Sequence, residues 1–251
     1  QAREARDVLL RPSRRNALRA LALAVPAGGT LMLADRFAPL SAFTADLSTG
    51  TAERRVFTLD DGSTVTLNAR SMVDVSFADD VRHLRLREGE IVVQVARDPA
   101  RPLVVSTAQG TARALGTRFG VRQDAERTRV TVLEHSVEVR AAATGERATL
   151  QAGEGAVVGA EAIERLDTAQ VDGGAWTRGQ LVVSRRPLSE VVGELQRYRR
   201  GILRVAPEVA DLPVQGVFPL DDVDRALVAL ADTLPIQVSR FGPWLTTVSA
   251  R

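Results

Sequence analysis

The chain has 251 residues, 45% of them hydrophobic, enough for one to three domains with cores of their own. Its 33 basic residues, all arginine, face 31 acidic ones, and no basic stripe interleaved with aromatics appears, which argues against a nucleic-acid partner. With no cysteine there is no disulfide framework, no thiolate metal site and no cysteine nucleophile.

The first residue is Gln rather than Met, so the chain reads as a piece of a longer or processed protein, with 1–14 a tail. Arginines 3, 6, 11, 14, 15 and 19 precede an uncharged run from Ala20 to Ala34, closed by Asp35-Arg36. Inside that run stand Pro26, Gly28 and Gly29. In a helix in water Pro costs about 3 kcal/mol and Gly about 1 kcal/mol; a bilayer tolerates both, because unpaired backbone in lipid is worse than a kink. With Arg19 snorkelling to the headgroups, 15–38 is long enough to span, and the positive-inside rule makes the arginine tail cytoplasmic. Two other readings stay open. Ser13-Arg14-Arg15-Asn16-Ala17-Leu18 is similar to a twin-arginine export signal, which would be cleaved, and the run could be a buried helix of a soluble protein.

Residues 39–55 are small and polar and read as a linker. From 56 to 160 the pattern is that of short strands. Val73, Val75 and Phe77 alternate with Asp74 and Ser76, Leu84 and Leu86 with Arg85 and Arg87, Val130 and Val132 with Thr131, and Val137 and Val139 with Glu138. Ile91-Val92-Val93 and Leu103-Val104-Val105 predict strands buried on both faces, and Arg101-Pro102 a strand start. Turn signals such as Asp60-Asp61-Gly62-Ser63 and Glu88-Gly89 divide them, predicting an all-β sandwich or β-roll.

Residues 161–175 read as a second linker. From 176 to 251 a strand–helix–strand unit occurs twice. Gln180–Ser184 is followed by the face Leu188, Val191, Val192, Leu195, capped by Ser189, with Gly201 opening Ile202–Val205. Val214–Phe218 is followed by the face Leu220, Val223, Leu227, Leu230, capped by Asp221, and by Ile236–Ser239. The helix starts match, Pro187-Leu188-Ser189-Glu190-Val191 against Pro219-Leu220-Asp221-Asp222-Val223. This βαβ repeat predicts two helices on one sheet, with Trp244–Ser249 adding a last strand. The fold class is mainly β with a C-terminal α+β domain.

Chemistry-bearing patterns are few. There is no G-x-G-x-x-G, P-loop or H-E-x-x-H, and no cofactor or metal is expected. His83 and His135 fall on separate strand patterns and read as surface or strand-face residues rather than a ligand pair. The Asp pairs 60–61, 79–80 and 221–222 read as turns and caps, and Trp176 and Trp244 as core or interface anchors. In Leu115-Gly116-Thr117-Arg118-Phe119 a Thr hydroxyl follows a Gly carbonyl. An N→O acyl shift there would split the chain, since Gly permits the strained backbone such a shift needs; a plain turn is the simpler reading.

The chain resembles the FecR-type transmembrane regulators of cell-surface signalling, which act as anti-sigma factors. In the β-region the matching pieces are Leu59-Asp60-Asp61-Gly62-Ser63, Leu67-Asn68-Ala69, Glu88-Gly89-Glu90, Ala96-Arg97-Asp98-Pro99 with Arg101-Pro102, Leu115 to Phe119, and Leu150-Gln151-Ala152-Gly153. In the last domain they are Arg186-Pro187-Leu188, Leu195-Gln196-Arg197-Tyr198, Gly216-Val217-Phe218 and Leu220-Asp221-Asp222. His135 departs from the pattern, standing where the family usually has Gly. The sigma-binding domain would lie upstream of Gln1.

The resemblance implies a single-pass bacterial inner-membrane protein with periplasmic C-terminal domains and no metabolic activity. Its implied partners are the signalling domain of a TonB-dependent outer-membrane siderophore receptor, regulatory proteases, and an ECF sigma factor held through the missing N-terminal domain. It further implies that 176–251 has the secretin/TonB short N-terminal fold, and that Gly116-Thr117 is a self-cleavage bond with Thr117 as nucleophile. The alternatives are a periplasmic scaffold or envelope-binding module that transmits nothing, and an autoprocessing β-module.

Overall fold

Residues 45–167 and 174–251 are described by the computed structural model. The expected tail 1–14 and span 15–38, with parts of both expected linkers, lie outside them. No helix among the described residues is long and apolar enough to cross a membrane.

Thirteen strands fill the first part: β1 (Leu47–Ser48), β2 (Arg55–Thr58), β3 (Thr64–Leu67), β4 (Met72–Phe77), β5 (Arg82–Gln94), β6 (Leu103–Ser106), β7 (Gly110–Ala114), β8 (Arg118–Gln123), β9 (Thr128–Glu134), β10 (Ser136–Ala141), β11 (Arg147–Gln151), β12 (Gly155–Val158) and β13 (Ile163–Arg165). They make two sheets that share one strand. The first runs β11-β10-β7-β6-β5-β4-β1 and the second β2-β3-β5-β8-β9-β12-β13. Between them lies one apolar core, with Leu84, Val105 and Val139 from the first sheet and Leu67, Ile91, Phe119 and Val132 from the second. The alternation in the sequence is this burial.

The shared strand, β5, has to turn a corner. Its first half, through Glu88, pairs with β4 and β6; from Gly89 onward it pairs with β8. Gly89 sits at the switch with φ +97°, and a Cβ there would lie 2.6 Å from Ser71 Cα and 2.7 Å from Arg70 O. Only glycine fits both the dihedral and the space. A buried ion pair pins the start of the strand. Arg82, fully buried, donates through Nη1 to Asp61 Oδ2 at 2.6 Å and Ala96 O at 3.0 Å, while Asp61 also holds the turn through Ser63 N–H.

Two stretches that composition assigns to linkers are partly structured. In 39–55, β1 pairs with Met72 and Val73, and Thr49 Oγ1 donates to Asn68 O and accepts from Ser71 N–H at 3.0 Å. In 161–175, β13 pairs with β12, and Ala175–Arg178 forms a 3₁₀ turn with Trp176 buried. Small polar residues read as linker there because their hydrogen bonds to distant backbone leave no periodic trace.

The last part runs β14 (Gln180–Pro187), α1 (Leu188–Gln196), β15 (Ile202–Val205), β16 (Pro213–Pro219), α2 (Val223–Thr233), β17 (Ile236–Phe241) and β18 (Leu245–Ala250). The repeated strand–helix–strand unit is present, but the single expected sheet is two. β14 pairs antiparallel with β16, and β15-β18-β17 form a separate mixed sheet with β18 at its centre. Each helix packs on both sheets, burying Leu188, Val191, Val192 and Leu195 of α1 and Val223, Leu227 and Leu230 of α2. The caps also differ from expectation. α1 starts at Leu188 behind Pro187 with no side-chain cap, and Ser189 N–H instead bonds Ala210 O. Asp222, not Asp221, caps α2, accepting from Arg225 N–H at 2.9 Å.

The two parts share their packing. Val92, in the apolar triplet of β5, and Ala69 belong to the core of the last part, while Ile91 and Val93 face the β-core. The triplet is uninterrupted because the outer face of the second sheet is covered. Replacing Gly89 by Ala is expected to cost about 3 kcal/mol or more of unfolding free energy, measured by urea denaturation. A loss below about 1 kcal/mol would contradict the corner geometry.

Candidate functional site

Two places gather polar side chains with a mechanical or chemical use. One is the corner at Gly116–Thr117; the other is the seam between the β-module and the last domain.

Gly116 and Thr117 link β7, in the first sheet, to β8, in the second. The chain crosses between sheets here, and Gly116 takes φ +151°, a region L side chains rarely adopt. Val95 N–H holds the Thr117 carbonyl at 2.8 Å. The Thr117 side chain is buried, the residue 4% exposed, and its Oγ1 has no hydrogen-bond partner. An unpaired buried hydroxyl costs about 1–3 kcal/mol, so it calls for a reason. Thr117 lines an open groove of about 610 Å³ whose other walls include Arg97, Arg113, His135, Ser136 and Glu138. The two histidines do not meet. His83 lies near the start of β5, and His135 is not on a strand but is the single residue joining β9 to β10, at φ +61°.

At the seam, α1 carries Glu194 into an otherwise apolar face, its side chain 7% exposed. Arg122 of β8 meets it through Nη1, and Arg186 Nη2 lies 3.5 Å away. Burial opposes ionisation of Glu194, but Arg122, Arg197 and Arg186 outweigh it and hold the carboxyl below the usual carboxylate range. Beyond α1, Arg197 donates to Ala69 O at 2.6 and 3.1 Å and to Arg70 O at 3.3 Å. Tyr198 donates its hydroxyl to Asn68 Oδ1, and Asn68 Nδ2 donates to Glu90 Oε2 at 2.7 Å. Burial pushes the Tyr198 phenol up to about 12, so it remains a donor at neutral pH. Arg54 closes the rim, bonding Asp221 at 2.5 Å and lying 5.6 Å over the Tyr198 ring.

Sequence reasoning singled out none of these as a site. A signal was present. The pieces Leu67-Asn68-Ala69, Glu88-Gly89-Glu90 and Leu195-Gln196-Arg197-Tyr198 are far apart in the chain, and the structure brings them together at this one seam. Trp176 is buried there as an anchor, whereas Trp244 is 61% exposed. Among the described residues no group of three or more His, Asp and Glu could hold a metal ion.

Truncating Arg122 to Ala leaves Glu194 buried beside fewer charges and is expected to cost about 3–5 kcal/mol. Arg165→Ala, at the exposed pair with Glu154, is expected to cost under about 1 kcal/mol. The pH dependence has a definite sign. A carboxyl held below its ordinary value of 4.5 contributes fully above that pH, and the contribution is lost as pH falls through the lower folded value. Denaturation curves should therefore show wild-type stability falling more steeply below pH 4.5 than that of Glu194→Gln. Parallel curves, or an Arg122→Ala cost under about 1 kcal/mol, would refute the role given to the pair.

Comparison with known proteins fits this layout. Residues 45–138 match the family model described as FecR protein, that is, β1 to the middle of β10. Two crystal structures of a putative anti-sigma factor from Parabacteroides distasonis ATCC 8503, at 2.50 and 1.65 Å resolution, superpose with a TM-score of 0.72 at 26% identity. The match covers 82% of this chain and 98% of that one, which requires both the β-module and the last domain. No curated protein sequence matches the chain. The chain thus carries a FecR region in residues 45–138, set in a fold similar to that putative anti-sigma factor's over both modules.

Proposed function

We propose that the chain is the membrane-anchored and periplasmic part of an anti-sigma factor. It spans the bacterial inner membrane once, through 15–38, and its modules 56–160 and 176–251 read the signalling domain of a TonB-dependent siderophore receptor. The sigma-binding domain precedes Gln1 and controls an ECF sigma factor, which regulatory proteases release. The observation that carries this reading is the joint match: a FecR region in 45–138, and an anti-sigma factor's fold over 82% of the chain.

The last domain offers a place for the receptor. β17 is an edge strand of its sheet. Arg251 N–H bonds Pro235 O, and the antiparallel register continues from there, so the N–H groups of 238 and 240 point away from β18. The other edge, β15, has its outward Leu203 N–H already taken by Gln196. Beside the free edge stand Phe241 and Trp244, 63% and 61% exposed. An added strand from a partner would pair with β17 and lean on these rings. β18, in contrast, is bonded on both sides and cannot accept one. Arg240→Pro removes one outward donor and should weaken receptor pull-down at least about tenfold while the domain stays folded. Undiminished binding would reject β17 as the docking edge.

The corner at Gly116–Thr117 supports self-cleavage in the same protein. The Thr117 hydroxyl attacks the Gly116 carbonyl, and the ester so formed is hydrolysed. The unpaired Oγ1 and the glycine-only φ supply the nucleophile and the backbone such a shift needs. On a denaturing gel the wild-type chain should give two fragments, and Thr117→Ala one intact band. A single band from both would end the cleavage reading and leave the receptor reading standing.

A further inference from the structure

We infer that His135 is the proton carrier for the Gly116–Thr117 acyl shift; the inference rests on the cleavage reading above and goes beyond it by assigning a second catalytic residue. Topology places it there. β7 crosses to β8 through 115–117, and β9 crosses back to β10 through His135 alone. Arg118 opposes Glu134 at the end of the β8–β9 ladder, beside a register shift, and Thr117 and His135 are the next residues of the two chains. Both residues line the same groove.

Three features separate His135 from a bystander. It sits at φ +61°, where a non-glycine residue is strained, so the fold bears a cost to keep a side chain at this position. That side chain is an imidazole, the side chain most often used to carry a proton in acid–base catalysis. And the hydroxyl of Thr117, in the wall of the same groove, has no hydrogen-bond partner, whereas a structural threonine would have one.

The step balances without any outside reagent but water. His135 takes the proton from Thr117 Oγ1 as Oγ1 bonds to the Gly116 carbonyl carbon. The imidazolium returns that proton to the Thr117 nitrogen as the C–N bond breaks. The products are an ester joining Gly116 to Thr117 Oγ1 and a free α-amine on Thr117. Water then adds to the ester, the C–Oγ1 bond breaks, Oγ1 is reprotonated, and Gly116 is left as a carboxylate with one proton released.

His135→Gly is the informative variant, because glycine accepts φ +61° without strain and the fold should survive. The full chain is made by cell-free synthesis and cleavage is followed in time by gel and mass spectrometry, with thermal unfolding as the folding check. The variant should cleave about a hundredfold more slowly, the usual share of a positioned acid–base group, with an unchanged or higher unfolding midpoint. Added imidazole should restore part of the rate, and hydroxylamine should trap the ester in wild type. If wild type cleaves and His135→Gly keeps pace within twofold, His135 is not the carrier and the cleavage reading survives. A slow variant with no imidazole rescue and a lowered midpoint assigns His135 a structural role and overturns the inference. If wild type yields no fragments even with hydroxylamine, the cleavage reading itself fails.

Discussion

Glu194 is ionised inside an interface, and the union of the two modules depends on that. It rides on α1 among Leu188, Val191, Val192 and Leu195, a face that would otherwise be apolar throughout. A carboxylate in such a place is tolerable only when paired, and Arg122, Arg186 and Arg197 pair it from both sides of the seam. Arg122 belongs to the β-module and the other two to the last domain, so docking adds the close Arg122 contact to the charges the last domain already supplies. An apolar residue at 194 could pack as well. A charge adds register, since a one-residue slip of α1 would leave it stranded.

The seam also gives mechanical continuity. Val92 and Ile91 are neighbours on one strand yet serve two cores. The last domain therefore packs directly on β5, the strand both sheets share. The Asn68–Tyr198 and Ala69–Arg197 bonds anchor the turn between β3 and β4 to the end of α1, next to the Gly89 corner. A pull at the β17 edge of the last domain would reach the geometric pivot of the β-module through packed, hydrogen-bonded groups. That is the property a relay needs and a passive envelope module does not.

Much of this was legible in the sequence, for identifiable reasons. Period-two alternation is a direct image of a half-buried sheet, so β4, β9 and β10 were readable from Val73, Val130 and Val137 and their polar neighbours. The helical faces of α1 and α2 were readable in the same way. The split of the last domain into two sheets was not, because strand order depends on which edges meet, and periodicity is silent on that. Asp221 precedes the helix and so reads as a cap; the turn geometry gives that role to Asp222 and frees Asp221 for Arg54. The site was the least legible part. Glu194 and Arg122 are 72 positions apart, and an acidic residue on a helix is ordinarily solvated. His135 reads as a strand residue because Val-x-Val patterns flank it on both sides; that it is a one-residue crossing shows only in the sheet order.

A cut at Gly116–Thr117 would not take the protein apart, and this bears on what such a cut could be for. The bond joins β7 to β8, and each is paired with a strand on the other side of the cut. β8 is zipped to β5 from Gly89–Gln123 to Gln94–Arg118, and β7 is paired with β10 from Gly110–Ala141 to Arg113–Glu138. The Arg122–Glu194 pair stays within the downstream piece, whereas the Asn68–Tyr198 and Ala69–Arg197 bonds join the two pieces. Cleavage would thus leave the fold closed at rest but change what resists tension. An intact backbone yields only by unfolding; a nicked one can release β8 from β5 bond by bond. The barrier to separation would then be set by a ladder and a buried interface instead of a covalent bond. A module that must be inert until pulled would gain from such a cut at a crossing where neighbouring strands hold both ends.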